Sequence, residues 1–103
     1  MNRLFVISGA KTQRIGESVA YQFYTTPWGS NPESLTVEVW DVTSSPEEDV
    51  TATVLLGSAS ADGDLVTCPN LYNLSENHRY RLDVYFDSGE NTFAVPILVR
   101  AIR

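Results

Sequence analysis

The chain is poor in the groups that chemistry needs. Its 103 residues hold one cysteine (Cys68), one histidine (His78) and seven basic residues against thirteen acidic ones. A lone cysteine cannot close an internal disulfide, so any core must be held by packing alone, and a reducing or redox-indifferent compartment is expected rather than secretion. One Cys and one His cannot supply the four ligands of a zinc site. A formal charge of −6 disfavours a phosphate backbone as partner, since that binding mode depends on clustered Lys and Arg, and no nucleic acid is expected. No run reaches the roughly 20 consecutive apolar residues of a membrane helix. The apolar stretch at residues 4–7 is too short for a signal peptide and is followed by no small-residue cleavage site. No membrane partner is expected, and residues 3–8 read as a first strand.

What is present is β-forming. Apolar residues make up 43% of the sequence, and a chain of this length buries roughly 60 to 70% of its unfolded surface as one domain, here residues 1–103. Helical periodicity is weak, while short β-branched and aromatic runs recur between turn signals. Residues 18–25 form a second strand with Val19, Tyr21 and Phe23 on one face. The prolines and glycine of Pro27-Trp28-Gly29-Ser30-Asn31-Pro32 then force a loop. Residues 34–42 set Leu35, Val37 and Val39 against Thr36, Glu38 and Trp40, so Trp40 faces outward unless a bulge rotates it inward. Residues 50–55 and 65–68 read as further strands. Between them, the small residues 57–64 cannot build a packed face and read as a mobile loop.

The last third is the most regular. Tyr80, Leu82, Val84 and Phe86 alternate with Arg79, Arg81, Asp83 and Tyr85, and Leu74 lies six residues before Tyr80. That spacing suits a tyrosine corner, with the ring in the core and the hydroxyl bonded to backbone of the preceding turn. Residues 92–102 are apolar at both parities: Phe93, Val95, Ile97 and Val99 on one side, Ala94, Pro96, Leu98 and Ile102 on the other. Pro96 lacks an N–H and belongs at a sheet edge or bulge. The second apolar side needs a cover, supplied either by the N-terminal strand or by another subunit. Seven strands without a long helix predict an all-β, immunoglobulin-like β-sandwich of about seven antiparallel strands and no disulfide.

Chemical machinery is not evident. His78, in a polar turn between Asn77 and Arg79, reads as a solvated residue, and Cys68 as a small buried hydrophobe with nothing nearby to activate it. Glu47-Glu48-Asp49, Asp62-Gly63-Asp64 and Asp87-Ser88-Gly89-Glu90 match no calcium loop and suit turns equally well. Paired carboxylates for glycoside hydrolysis could be drawn from the same set, but no substrate groove is suggested. The expectation is no catalytic residue, no metal and no cofactor. The residues placed in an interface are Trp28, Phe93, Pro96, Leu98 and Ile102. Trp28 either anchors a partner or folds over an open end of the sandwich.

The stretch Lys11-Thr12-Gln13-Arg14-Ile15-Gly16-Glu17 precedes an aromatic strand, Trp28 follows it, and Val50-Thr51-Ala52-Thr53-Val54 and Gly63-Asp64-Leu65-Val66-Thr67 lead to Tyr80-Arg81-Leu82-Asp83-Val84. Over residues 10–100 this pattern resembles the small immunoglobulin-like structural proteins of tailed bacteriophages. It departs from them at Glu76-Asn77-His78, where a Gly would stand, and no functional residue carries over. The resemblance implies a virion component, assembled in the host cytoplasm, at the capsid surface, head-tail junction or tail. Such a component binds other virion proteins or copies of itself in a homo-oligomer or symmetric assembly. The alternative is a free-standing binding module that stacks carbohydrate on Trp28 and surface tyrosines.

Overall fold

The computed structural model describes residues 11–103, so the strand expected at residues 3–8 lies outside the described residues. The described chain is mostly β. Its elements run β1 (Lys11–Arg14), β2 (Gln22–Tyr24), β3 (Glu33–Asp41), β4 (Glu48–Asp49), α1 (Thr51–Val54), β5 (Leu55–Leu56), β6 (Ser60–Asp62), β7 (Leu65–Thr67), β8 (Asn70–Leu71), β9 (Arg79–Ser88) and β10 (Asn91–Ile102). They form a five-stranded sheet in the order β1-β10-β9-β3-β4, a three-stranded sheet β2-β7-β6 and a small pair β5-β8. Ten strands in three sheets replace the seven expected. Pairing is not purely antiparallel either, because β1 runs parallel to β10, with Lys11 opposite Val99 and Arg14 opposite Ile102.

β9 and β10 behave as their sequence demands. Strict alternation on β9 buries Tyr80, Leu82, Val84 and Phe86; the β10 partners of the first three, Val99, Ile97 and Val95, are buried beside them, and Phe86 pairs with half-buried Phe93. Phe23, Val66 and Leu71 from the smaller sheets, and Cys68 between β7 and β8, join Val39 and Val54 in the same core cluster. A side-chain network at the β1 end adds to this packing. Gln13, 1% exposed, donates from Nε2 to the Leu71 carbonyl at 2.7 Å and accepts from the Tyr21 hydroxyl at 2.9 Å. A buried amide satisfied in this way fixes where β1 sits over the smaller sheets.

The tyrosine corner is formed. Tyr80 and Leu74 are buried, and the Ser75 N–H donates to the Tyr80 hydroxyl at 2.9 Å. The position of Pro96 also has a geometric reason. On β10 the Ala101 N–H donates to the His78 carbonyl, whereas the Ile102 carbonyl accepts from Ile15 beyond β1. Odd-numbered backbone groups therefore bond toward β9 and even-numbered ones toward β1. Pro96 points its missing donor to the β1 side, upstream of Val99, where β10 has no paired strand among the described residues.

Three expectations are corrected. Residues 50–55 do not form one strand. Asp49 accepts hydrogen bonds from the Thr51 N–H (3.0 Å) and hydroxyl (2.7 Å), and the Val39 N–H donates to Thr51 Oγ1 at 2.9 Å. The threonine hydroxyl thus replaces a ladder partner for β3 and turns the chain into one helical turn, a tertiary contact overriding β-propensity. Residues 57–64 are not structureless: Gly63, at φ +60, turns β6 back onto β7, with Asp62 opposite Leu65. Small side chains suffice there because β6 pairs through its backbone. Finally, the strand expected over residues 18–25 is reduced to a single bridge from Val19 to Leu71 and the three residues of β2.

Tyr80→Phe should leave the part-buried Ser75 N–H without its partner and cost about 1–2 kcal/mol. In urea titrations the midpoint should fall while the slope stays unchanged. An unchanged midpoint would show that the corner contributes nothing to stability.

Candidate functional site: the outer face of the five-stranded sheet

Because side chains alternate along a strand, residues interleaved with the core on β10, β9 and β3 share the opposite face of the sheet. The register arranges them in cross-strand rows: Ala94, Tyr85 and Thr36; then Pro96, Asp83 and Glu38; then Leu98, Arg81 and Trp40; then Arg100 beside Arg79. Val42, whose N–H donates to the Arg79 carbonyl, extends the last row, and Thr12 flanks Arg100 from β1. Trp40 is therefore outward-facing, the first of the two alternatives its parity left open. Leu98 is 46% exposed. A hollow of about 220 Å³ lies at its basic end, lined by Val42, Arg79, Tyr80, Leu98, Val99 and Arg100.

The polar groups of this face fall into two zones. At its centre Arg81 is clamped, with Nε at 3.1 Å from both Asp83 carboxylate oxygens and its two terminal nitrogens each 3.1 Å from a Glu47 oxygen. The Glu47 contact above all holds the guanidinium still more firmly protonated. On one side of Arg81, Glu38 stands directly opposite Asp83. Its carboxylate takes long hydrogen bonds, 3.4 Å each, from the Trp40 indole and the Tyr85 hydroxyl. The Tyr85 phenol is pushed up, first by loss of solvation and then by the charges of Glu38 and Asp83. On the other side, Arg79 stands directly opposite Arg100, and neither forms an ion pair among the described residues. Like charges placed directly across a ladder oppose the pairing of their strands.

The structure brings three of the expected interface residues, Pro96, Leu98 and Ile102, onto this face at even positions of β10. It places the other two elsewhere. Phe93 lies on the core side with its ring 5.5 Å from Phe86, and Trp28 is half-buried, edge-on to Phe23 at 6.2 Å and 88°. Gly29 explains how the Trp28 loop sits so close to the sheet, because a Cβ there would collide with the Ser88 side chain. Trp40, Tyr85, Arg79 and Arg100 belong to the face but were not among the residues expected to form it. Their signal was the outward parity of three neighbouring strands, which becomes a surface once the register is known.

Elsewhere, a cleft of about 370 Å³ lies along the start of β3, lined by Leu35, Thr36, Val37, Thr51, Leu55, residues 57–59 and Pro69, none of them titratable. No group of three or more metal-ligating side chains occurs among the described residues. His78 is not simply solvated. Its Nδ1 lies 2.7 Å from Asp41 Oδ2, while Thr43 donates to Asp41 Oδ1 from its N–H at 3.0 Å and its hydroxyl at 2.6 Å. Partial burial opposes ionisation of Asp41, but the hydrogen bonds from Thr43 and His78 outweigh it and hold the carboxyl below its ordinary range. This cluster ties β3 to the turn before β9. Burial pushes the Cys68 thiol up to about 12.

No family model, curated protein or solved structure matches the chain.

A carboxyl whose pKa is lower folded than unfolded contributes stability above the unfolded value, and that contribution is lost as pH falls through the folded one. Wild type should therefore lose stability relative to Asp41→Asn as pH drops below about 4. Parallel denaturation curves for the two at pH 3 and pH 6 would contradict the assignment. For Cys68, a thiol reagent at pH 8 should react at the rate of unfolding, independent of reagent concentration at high concentration. Fast, reagent-limited labelling of the folded chain would refute its placement.

Proposed function

We propose that this chain is a non-enzymatic structural component of a tailed-phage virion that works by protein–protein assembly through the outer face of its five-stranded sheet. The observation that carries the assembly reading is the exposed Leu98 on the outer face of the sheet, in one row with Arg81 and half-buried Trp40 and beside the row of half-buried Pro96. Leucine, tryptophan and tyrosine on neighbouring rows of one sheet face suit a protein interface, where aromatic residues are enriched and desolvation of the apolar centre drives binding. The phage assignment rests on the sequence resemblance. An immunoglobulin-like reading of the all-β fold is supported by the corner at Tyr80, by the β10-β9-β3 ribbon and by a second sheet, β2-β7-β6, sharing its core.

The partners on this reading are other virion proteins or further copies of the chain, with neither nucleic acid nor membrane involved and no cofactor. A carbohydrate-stacking module is less well supported, since the half-buried Trp28 ring packs edge-on against Phe23.

Leu98→Glu tests the reading. Leu98 is half exposed already, so the monomer should remain folded within about 0.5 kcal/mol. In light scattering, association with capsids, tails or other copies should weaken by at least about 100-fold, through burial of an unpaired charge. Unimpaired association of a folded Leu98→Glu chain would place the interface on another surface.

A further inference from the structure

We infer that the outer sheet face is self-complementary and pairs two copies of the chain face to face about a two-fold axis. This deepens the assembly reading above and rests on it. The argument comes from the order of charges along the strands. Moving along β9 from the Ser88 end, the outward rows are acidic (Glu33 opposite Asp87), then aromatic and small (Tyr85, Ala94, Thr36), then acidic again with Pro96 (Glu38 opposite Asp83). The next row is apolar around a neutralised arginine (Leu98, Arg81, Trp40), and the last is basic (Arg79 opposite Arg100). Rows are spaced by two residues, about 6.8 Å, so the basic row and the Glu38–Asp83 row lie at nearly equal distances on either side of the Leu98–Arg81–Trp40 row.

For two faces in contact, a two-fold axis lying across the strands at the central row reverses the order of rows in the second copy. Leu98 and Trp40 then meet their own counterparts, and the Arg79–Arg100 row of each copy overlies the Glu38–Asp83 row of the other. Each strand then lies over its own counterpart, so Arg79 overlies Asp83, Arg100 overlies Pro96 one strand from Asp83, and Val42 overlies Glu38; the like-charged arginines of each copy thus face the acidic row of the other. Arg81, close to the axis, carries its neutralising partners Glu47 and Asp83 with it. Its charge therefore does not have to be met by the second copy.

Two other features fit. The hollow lined by Val42, Leu98, Arg79 and Arg100 lies on the basic row, where it can receive the Pro96 side of the second copy. With the axis on the Leu98–Arg81–Trp40 row, three rows of each copy overlap, and five strands at about 4.8 Å by three rows at about 6.8 Å give a plan area of at most about 490 Å², the small end of interface sizes and in keeping with a weak dimer. Without the pairing of basic and acidic rows, two chains of charge −6 would repel one another, so the row order decides both partner and orientation.

Two full-length variants test the arrangement by sedimentation velocity. One carries Arg79→Glu and Arg100→Glu, making both flanking rows acidic; the other carries Glu38→Lys and Asp83→Lys, making both basic. Wild type should dimerise, each variant alone should dimerise at least about 100-fold more weakly, and an equimolar mixture of the two should form a heterodimer within about tenfold of wild-type affinity. Circular dichroism of each variant confirms the fold, and rescue by mixing excludes misfolding as the cause of any loss. A wild-type monomer at 200 µM (about twenty times a weak Kd of ~10 µM) would overturn the two-fold pairing. So would variants that still dimerise alone, or a mixture that stays monomeric. If the monomer nevertheless binds capsids or tails in a Leu98-dependent way, the assembly reading survives and the self-pairing alone fails.

Discussion

The strict alternation of β9 is the constraint from which the rest of the molecule follows. Tyr80, Leu82, Val84 and Phe86 are at most 3% exposed; the first three sit beside the buried Val99, Ile97 and Val95 of β10, and Phe86 beside the half-buried Phe93. In a chain with one cysteine, this layered packing takes the place of a covalent staple, since burial of each such side chain contributes about 1.5–3 kcal/mol. A one-residue slip of β9 would turn all four to water, so the register is fixed by the core. Everything on the other side is fixed with it. Arg79, Arg81, Asp83 and Tyr85 have no freedom to choose their rows, because the residues between them have already chosen.

That coupling explains why the outer face has such an unusual order of charges. A surface evolved for solubility alone would intersperse signs across neighbouring strands. Here Arg79 faces Arg100 and Glu38 faces Asp83, while Arg81 is fully committed to Glu47 and Asp83. The face also carries exposed Leu98 and half-buried Trp40, Pro96 and Val42, and the proposed assembly is the reading in which this apolar content and the sorted charge meet a second surface.

Much of the architecture was legible in the amino-acid order. The β9 and β10 strands, the corner from Leu74 to Tyr80, the edge character of Pro96 and the burial of Cys68 all follow from local pattern, because alternation and imino-acid geometry are properties of the chain itself. What escaped the sequence depended on contacts across the fold. The helical turn at Thr51–Val54 exists because a hydroxyl reaches β3, and nothing in Thr-Ala-Thr-Val announces that. β6 is made of Ser, Ala and Asp, which pair through their backbone and so leave no hydrophobic signature. β1 lies parallel to β10, and its Gln13 is held by the Leu71 carbonyl and the half-buried Tyr21 hydroxyl, partners far away in sequence or on the next segment. The interface residues were half visible: Pro96, Leu98 and Ile102 stood out as apolar at the wrong parity, while the arginine and carboxylate rows require knowing which residues stand opposite which.

The central claim is that the two faces of the β10-β9-β3 ribbon have different fates, one filled by this chain's own core and the other by another polypeptide. Hydroxyl-radical footprinting, comparing the free chain at low concentration with the assembled state, reads this directly at Trp40, Tyr85 and Leu98. The account predicts that all three react in the dilute chain and become protected on assembly, while exposed Tyr24 and Leu56, on other strands, keep their reactivity. Equal reactivity of Trp40 and Leu98 in both states would contradict it.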